Sequence, residues 1–372
     1  MTEDRYGFGV IPKPDEKMRA LAAQRWDSLA KPIDGLGRFE EIICRAAAAQ
    51  GKSEPALTQK ALVIMCADNG VVAEGVSQTD ASVTRQVAEL MGEGRSSVGI
   101  MTRDYPLDVF VYDVGIDCTD TLKGVIDRKI RRGTGNIAVE EAMSRQECMA
   151  AIQVGIDAAY ELKKQGYDII ATGEMGIGNT TTSTALYCAL LDLNPELYTG
   201  RGAGLTDEGL ARKIRVIRQA VERYRGLFID SDSESDPVHD PDSVHAVDFP
   251  ECLRQLGGLD IAALSGVFIG GAQCGIPVVI DGLISAVAAY VAECLAPGCK
   301  EYMIASHIGR EKGMEVLLQK LSLEPVIHGD MALGEGTGAV MLFPLLDMAM
   351  NLFSQGTAFD QTPIDQYERY EV

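Results

Sequence analysis

Five short apolar runs shape this sequence. They are KALVIMCAD (60–68), LDVFVYDVG (107–115), YDIIATGE (167–174), PVVID (277–281) and YMIAS (302–306). Each ends in a loop bearing Gly or Asp, and a helical stretch follows. A strand that is apolar at nearly every position, rather than every second one, must be covered on both faces. Strands separated by helices long enough to cross over pair in parallel. The expected fold class is therefore α/β, a parallel sheet covered by helices. In such sheets ligands bind beyond the carboxyl ends of the strands. The loops to inspect are 68–80, 113–118, 173–181, 281–285 and 306–309. Residues 15–30 read as an amphipathic helix that stops before Pro32, and a second helix runs from about Arg38 to Ala49. These helices, and the apolar helix after residue 337, fall outside the alternation. They are expected to form a small helical domain (1–49 plus 337–372) beside a large domain (50–336).

Composition narrows the function. The chain has 372 residues, 46% of them hydrophobic, enough for a sizeable core. Against 54 acidic residues stand 34 Lys and Arg, a formal charge of −20. Such a surface repels nucleic acid and anionic membranes, so neither is an expected partner. An anionic ligand needs a pocket that is locally positive. Nine cysteines occur without a CxxC pair, which argues for reduced, packed thiols and against zinc or a disulfide framework. No metal and no cofactor are expected. The N-terminal MTEDRYGFGVIPKPDEK has no apolar segment of a secretory signal, so a cytoplasmic location is expected. Residues 261–296 are nearly uncharged, but Gly270, Gly271, Gly275, Pro277 and Gly282 divide them into helix, strand and helix rather than a membrane span. Residues 230–248 are read as a solvated acidic insertion, because Ser235 and Pro241 spoil a calcium loop. The last 15 or so residues are read as a loose tail.

Chemistry concentrates in a few Gly-rich segments. GEMGIGNTTT (173–182) follows an apolar run and opens a helix. Glycines admit close backbone approach, and a helix N-terminus offers free N–H groups to an anion. The spacing is neither GxGxxG nor a P-loop, and Glu174 is out of place beside an anion unless it meets a ligand. LGEGTG (333–338) sets Glu335 between two glycines with no cation in the following twelve residues. That suits a general base whose pKa burial would raise. Taken alone, Glu335 reads better as an exposed loop carboxylate near a helix start, favoured by the helix dipole. ADNGVVAEGVS (67–77), GRGAG (200–204) with Arg212 and Lys213, and ASH (305–307) are each ordinary turns by themselves.

Taken together, these segments resemble the nicotinate-nucleotide–dimethylbenzimidazole phosphoribosyltransferases of cobalamin biosynthesis. The resemblance runs from about Arg25 to about Phe353. It rests on SLAKPIDGLGRFE (28–40), ADNGVVAEGVS, VYDVGID (111–117), RRGTGNIAVEEAMSR (131–145), GEMGIGNTTT, GGLDIAALSGVFIGGAQCGIPVVIDG (257–282), ASHIGREKG (305–313) and LGEGTGA (333–339). It implies a homodimer that moves the phosphoribosyl group of nicotinate mononucleotide onto a benzimidazole-type base. It implies Glu335 as catalytic base, and substrate contacts at Glu174, Gly176, Asn179, Thr180, Thr181, Lys213 and Ser306. Gly202 and Asp281 join the expected substrate-binding set, and the family layout puts Thr79, Gln86 and Val87 toward the base. The chain departs from the common pattern at Asn69, where ADHG is usual, and at Ala332, where Arg often precedes LGEG. Two other readings stand beside this one: transfer to a purine or phenol, and a nucleotide-binding homologue without turnover.

Overall fold

The computed structural model describes residues 4, 6–229 and 248–369, without the side chains of 227–229. Most of the acidic insertion, with His239 and His245, lies outside them. In chain order the elements are α1 (Glu16–Ser28), α2 (Arg38–Gln50), β1 (Lys60–Ala67), α3 (Ser82–Gly92), α4 (Ser97–Met101), β2 (Asp108–Gly115), β3 (Val125–Asp127), α5 (Arg145–Gln165), β4 (Ile169–Met175), α6 (Asn179–Leu190), α7 (Pro195–Tyr198) and α8 (Asp207–Ile229). They continue with α9 (Phe249–Leu256), α10 (Leu259–Cys274), β5 (Val278–Ile280), α11 (Leu283–Leu295), β6 (Met303–Ala305), β7 (His307–Gly309), α12 (Lys312–Leu321), β8 (Ile327–Met331) and α13 (Thr337–Gln355).

The main sheet has six strands in the order β3-β2-β1-β4-β5-β6, all parallel. The expected α/β class is correct, and the five apolar runs supply five of the six strands. Every residue of β1 is buried, because helices cover both faces of the sheet. One face packs α5, α6, α8, α10 and α11, and the other packs α2, α3, α4 and α13. On the first face α5 and α10 cross at glycines. A Cβ on Gly155 would stand 1.8 Å from the Ala263 carbonyl oxygen, so this close crossing admits no side chain there. The near-uncharged stretch divides into α10, β5 and α11, as its glycines indicated. Among the described residues α13 alone is long and apolar enough to cross a membrane, and half of it is buried in the protein.

Trp26, Leu29, Ile43, Cys44, Ala47, Ala349 and Phe353 form a cluster joining α1, α2 and α13. The same α2 and α13 also pack on the sheet through Ile42, Ala46, Leu342 and Phe343. The C-terminal segment, expected to be loose, is held down through Arg369. The Arg369 guanidinium pairs with Asp27 at 2.9 Å and Asp34 at 2.6 Å, and Tyr367 sits edge-on to Phe359. Those carboxylates lie over 330 residues away in sequence, so local composition carried no sign of them.

The strand order changes direction between β1 and β4. The loops after these two strands therefore diverge and leave a crevice at their carboxyl ends, where ligands bind in such sheets. A second, two-stranded parallel sheet, β7 with β8, walls this crevice on the β6 side.

Candidate active site

A cavity of about 300 Å³ opens at this crevice. The carboxyl end of β4 supplies Glu174, Met175 and Gly176, and the loop after β5 supplies Asp281 and Gly282. His307 and Glu311 come from beyond β6, and residues 331–335 close the far side. Of the expected residues, Glu335, Glu174, Gly176, Asn179, Thr180, Gly202 and Asp281 all line it.

Glu335 sits in an unusual backbone. Gly334, Glu335 and Gly336 have successive φ values of 85°, 60° and 82°. Left-handed backbone costs a residue with a Cβ roughly 1–2 kcal/mol, so something must hold Glu335 there. Asp281 does much of this. Its carboxylate accepts the N–H of Gly336 at 3.2 Å and of Ala339 at 2.9 Å, capping α13 from the end of another strand. Thr337 adds bonds from its N–H and hydroxyl to the Gly334 carbonyl. The Glu335 carboxylate itself accepts the Val98 N–H at 3.0 Å, from the start of α4. Both glycines also lie against side chains that an added Cβ would have to displace. A Cβ on Gly334 would meet Glu174 Oε1 at 2.7 Å, and one on Gly336 would meet the Leu62 side chain at 2.5 Å.

The floor of the cavity is a nest of acids. Asn179 donates from Nδ2 to Glu174, and also to Asp260 at 3.1 Å. Burial pushes Glu174 up to about 8, with Asp260, Asp281 and Glu335 adding repulsion against the Asn179 hydrogen bond. Burial likewise raises Asp260 and Asp281 to about 6, although hydrogen bonds to each oppose it. The ionised forms are thus held at a cost that a cation would relieve. Asp260 was not among the expected site residues. Its signal was a lone carboxylate opening a long apolar helix, α10.

A positive charge lies just behind the other end of the cavity, where Thr180 and Gly202 line it and Lys213 does not. Lys213 is almost wholly buried, and its ammonium donates to Thr180 Oγ1 at 2.8 Å. No ion pair of Lys213 occurs among the described residues, and burial depresses its pKa to about 8, against the pull of Glu311. Gly202 covers this pair, since a Cβ there would lie 3.2 Å from the Thr180 hydroxyl and 3.4 Å from Nζ. A buried ammonium, a hydroxyl and the N-terminus of α6 meet at one point, an anion cradle.

Other expected residues lie elsewhere. Thr181 is fully buried and Ser306 is buried behind the wall, so neither lines the cavity. Thr79 is exposed and also does not line it. Gln86 faces a separate surface depression with Glu89 and Lys123, while its neighbour Val87 lines the cavity. On a helix, successive side chains point about 100° apart, which explains the exchange. His307 and Glu311 were missed. Asn69 is buried and accepts the Thr182 hydroxyl at 3.3 Å, and Ala332 lies exposed at the rim.

A phosphoribosyltransferase family model matches residues 11–364. A protein named nicotinate-nucleotide–dimethylbenzimidazole phosphoribosyltransferase from Acetivibrio thermocellus is 40% identical over 348 residues, 94% of each chain. This chain belongs to that family. A relative of the same name from Ruminiclostridium cellulolyticum is also 40% identical, over 350 residues and 94% of each chain. Among solved structures, CobT from Thermus thermophilus superposes with a TM-score of 0.84 at 35% identity, covering 94% of this chain and all of that one. The family match extends beyond the motif-bearing region at both ends and takes in the segments on either side of α1 and α13.

Proposed function

We propose that this chain transfers the 5-phosphoribosyl group of nicotinate mononucleotide to 5,6-dimethylbenzimidazole, giving α-ribazole 5′-phosphate and nicotinate for cobalamin assembly. The observation that carries this is Glu335, a carboxylate strained into the left-handed region at the mouth of an acid-lined cavity. A base nitrogen attacks C1′, and the C1′–N bond to nicotinate breaks with its electron pair going to the pyridine ring. The leaving group is a pyridinium, so it departs without needing a proton. The attacking base must lose its N–H proton, and Glu335 takes it. General-base help of this kind contributes roughly 10²–10⁴-fold.

The rest of the site fits the two substrates. Lys213, Thr180 and the start of α6 suit the 5′-phosphate. The acids near Glu174 suit the pyridinium and the positive charge that builds on C1′. Val87, Met175 and Leu333 give the apolar surface a benzimidazole needs. The test is to incubate pure protein with nicotinate mononucleotide and dimethylbenzimidazole, with parallel arms of adenine and p-cresol, and to measure free nicotinate and the nucleoside phosphate. No release with any base overturns the proposal.

We infer a homodimer as well. Met341, Leu345, Met348 and Leu352 form an exposed apolar stripe along α13, at helical spacing. Light scattering of wild type and Met348→Lys tests this, and a wild-type monomer refutes it. A cytoplasmic setting belongs to the same proposal, supported by nine free thiols that suit a reducing compartment.

A further inference from the structure

His307 has no part in the proton transfer above, yet its hydrogen bonds fix which ring nitrogen can meet a ligand. Ser306 is fully buried, and its hydroxyl lies 2.6 Å from the carbonyl oxygen of Ile280. A carbonyl only accepts, so the single hydroxyl proton of Ser306 is committed there. The Ser306 oxygen also lies 2.9 Å from His307 Nδ1. With its own proton spent, the serine oxygen must accept in that contact, and Nδ1 carries the hydrogen. Burial lowers the pKa of the ring and so favours its neutral form, and no carboxylate pairs with it among the described residues. A neutral imidazole with a proton on Nδ1 has a lone pair on Nε2.

The fold also fixes the ring's orientation. Nδ1 and Cε1 press on Gly338 in the first turn of α13, where a Cβ would stand 2.1 Å from both. The edge left to the cavity is that of Nε2 and Cδ2. Nε2 has no hydrogen-bond partner among the described residues. His307 therefore presents a rigid acceptor to a cavity that Asp281 and Glu311 also line.

We propose that His307 Nε2 accepts a hydrogen bond from a ribose hydroxyl of the nucleotide. The inference rests on the phosphoribosyl-transfer reading for the identity of the ligand. Nicotinate mononucleotide at neutral pH carries an ionised phosphate, an ionised carboxylate and a pyridinium without N–H. Its only donors are the 2′- and 3′-hydroxyls, and a pure acceptor can bind nothing else on it. The expected role of Ser306 in substrate binding then acquires a physical form. Ser306 touches no ligand but sets the tautomer of the residue that does.

The test is a cycle of two variants and three nucleotides. His307→Asn keeps an N–H donor for Ser306 and removes the acceptor at Nε2. His307→Gln extends an amide oxygen toward the place of Nε2. Dissociation constants are measured by calorimetry for nicotinate mononucleotide and its 2′-deoxy and 3′-deoxy analogues, without base, and melting temperatures are checked. His307→Asn should weaken the parent nucleotide about tenfold and leave one deoxy analogue unchanged, which identifies the hydroxyl. His307→Gln should recover part of the loss. Equal weakening of all three nucleotides, or none, overturns the inference and leaves His307 a packing residue. Turnover with dimethylbenzimidazole is followed separately. Wild type that binds the nucleotide but releases no nicotinate defeats the transferase reading, while the binding cycle still decides His307.

Discussion

Glu174→Gln should make the empty protein more stable and the enzyme worse. The carboxyl of Glu174 is pushed from its ordinary 4.5 to about 8, chiefly by burial and then by the neighbouring acids. In the unfolded chain it ionises near its ordinary value. The folded state therefore holds a proton that the unfolded state has lost, and stability falls as pH rises through this window. The fall is about 1.4 kcal/mol per pH unit and ends near the folded value, an upper bound of about 5 kcal/mol. Glutamine is nearly isosteric, keeps an oxygen for the Asn179 amide and does not titrate. Its advantage over wild type should be small near pH 5 and greatest above about pH 8. For a chain of this size that corresponds to roughly 4–8 °C in melting temperature at the alkaline end. Asp260 and Asp281 titrate in both proteins, so they enter the difference only through their repulsion of Glu174, which the variant removes. The assay is thermal unfolding of ligand-free wild type and variant across that range, with transfer activity measured alongside. A difference that does not grow with pH, or a variant less stable at alkaline pH, refutes the account of the acid nest. Adding nicotinate mononucleotide should shrink the gap, because its pyridinium favours ionised Glu174 in wild type.

Glu335→Gln should bind nicotinate mononucleotide as wild type does and lose roughly 10²–10⁴-fold in kcat, and wild-type turnover in that variant ends its role as base. Lys213→Met should weaken nucleotide binding by about tenfold or more, with the KM for the base little changed, and calorimetry separates the two. Asp281→Asn should lower kcat more than nucleotide affinity, since it loosens the start of α13 and hence Glu335, and an unchanged kcat would show that Gly336 and Thr337 hold the turn unaided. Turnover should survive EDTA, because the pyridinium leaves without a Lewis acid, and loss restored by added Mg²⁺ or Zn²⁺ contradicts this.

The main sheet was legible because buried parallel strands are continuous apolar runs, and five of them stand out. The sixth, β3, is the edge strand Val125–Asp127, half-buried and ending in an exposed Asp, so it carries no apolar run. The small sheet was invisible for another reason. HIG and IHGDM have no apolar periodicity, and they pair only because the chain beyond β6 brings them together. Motif spacing gathered Glu174, Asn179, Thr180 and Glu335 into one cavity, since each lies on a loop at the same end of the sheet. It could not show that Ser306 and Thr181 point inward, because burial depends on partners remote in sequence. Gln86 and Val87 turned on the phase of α3, which buries Thr84, Ala88 and Met91 and leaves one neighbour or the other to face the ligand.

The left-handed turn at Glu335 has a consequence for the inheritance of this protein. Every codon for glutamate becomes one for glycine by a single change at its second base. Glycine is the residue this backbone position prefers, by about 1 kcal/mol or more. The gene therefore lies one transition from a product that folds more readily and lacks the proposed base. Where the reaction is not needed, drift has an easy step toward that product. A glycine at position 335 in an otherwise intact relative would mark a lineage that has given up the reaction and kept the fold.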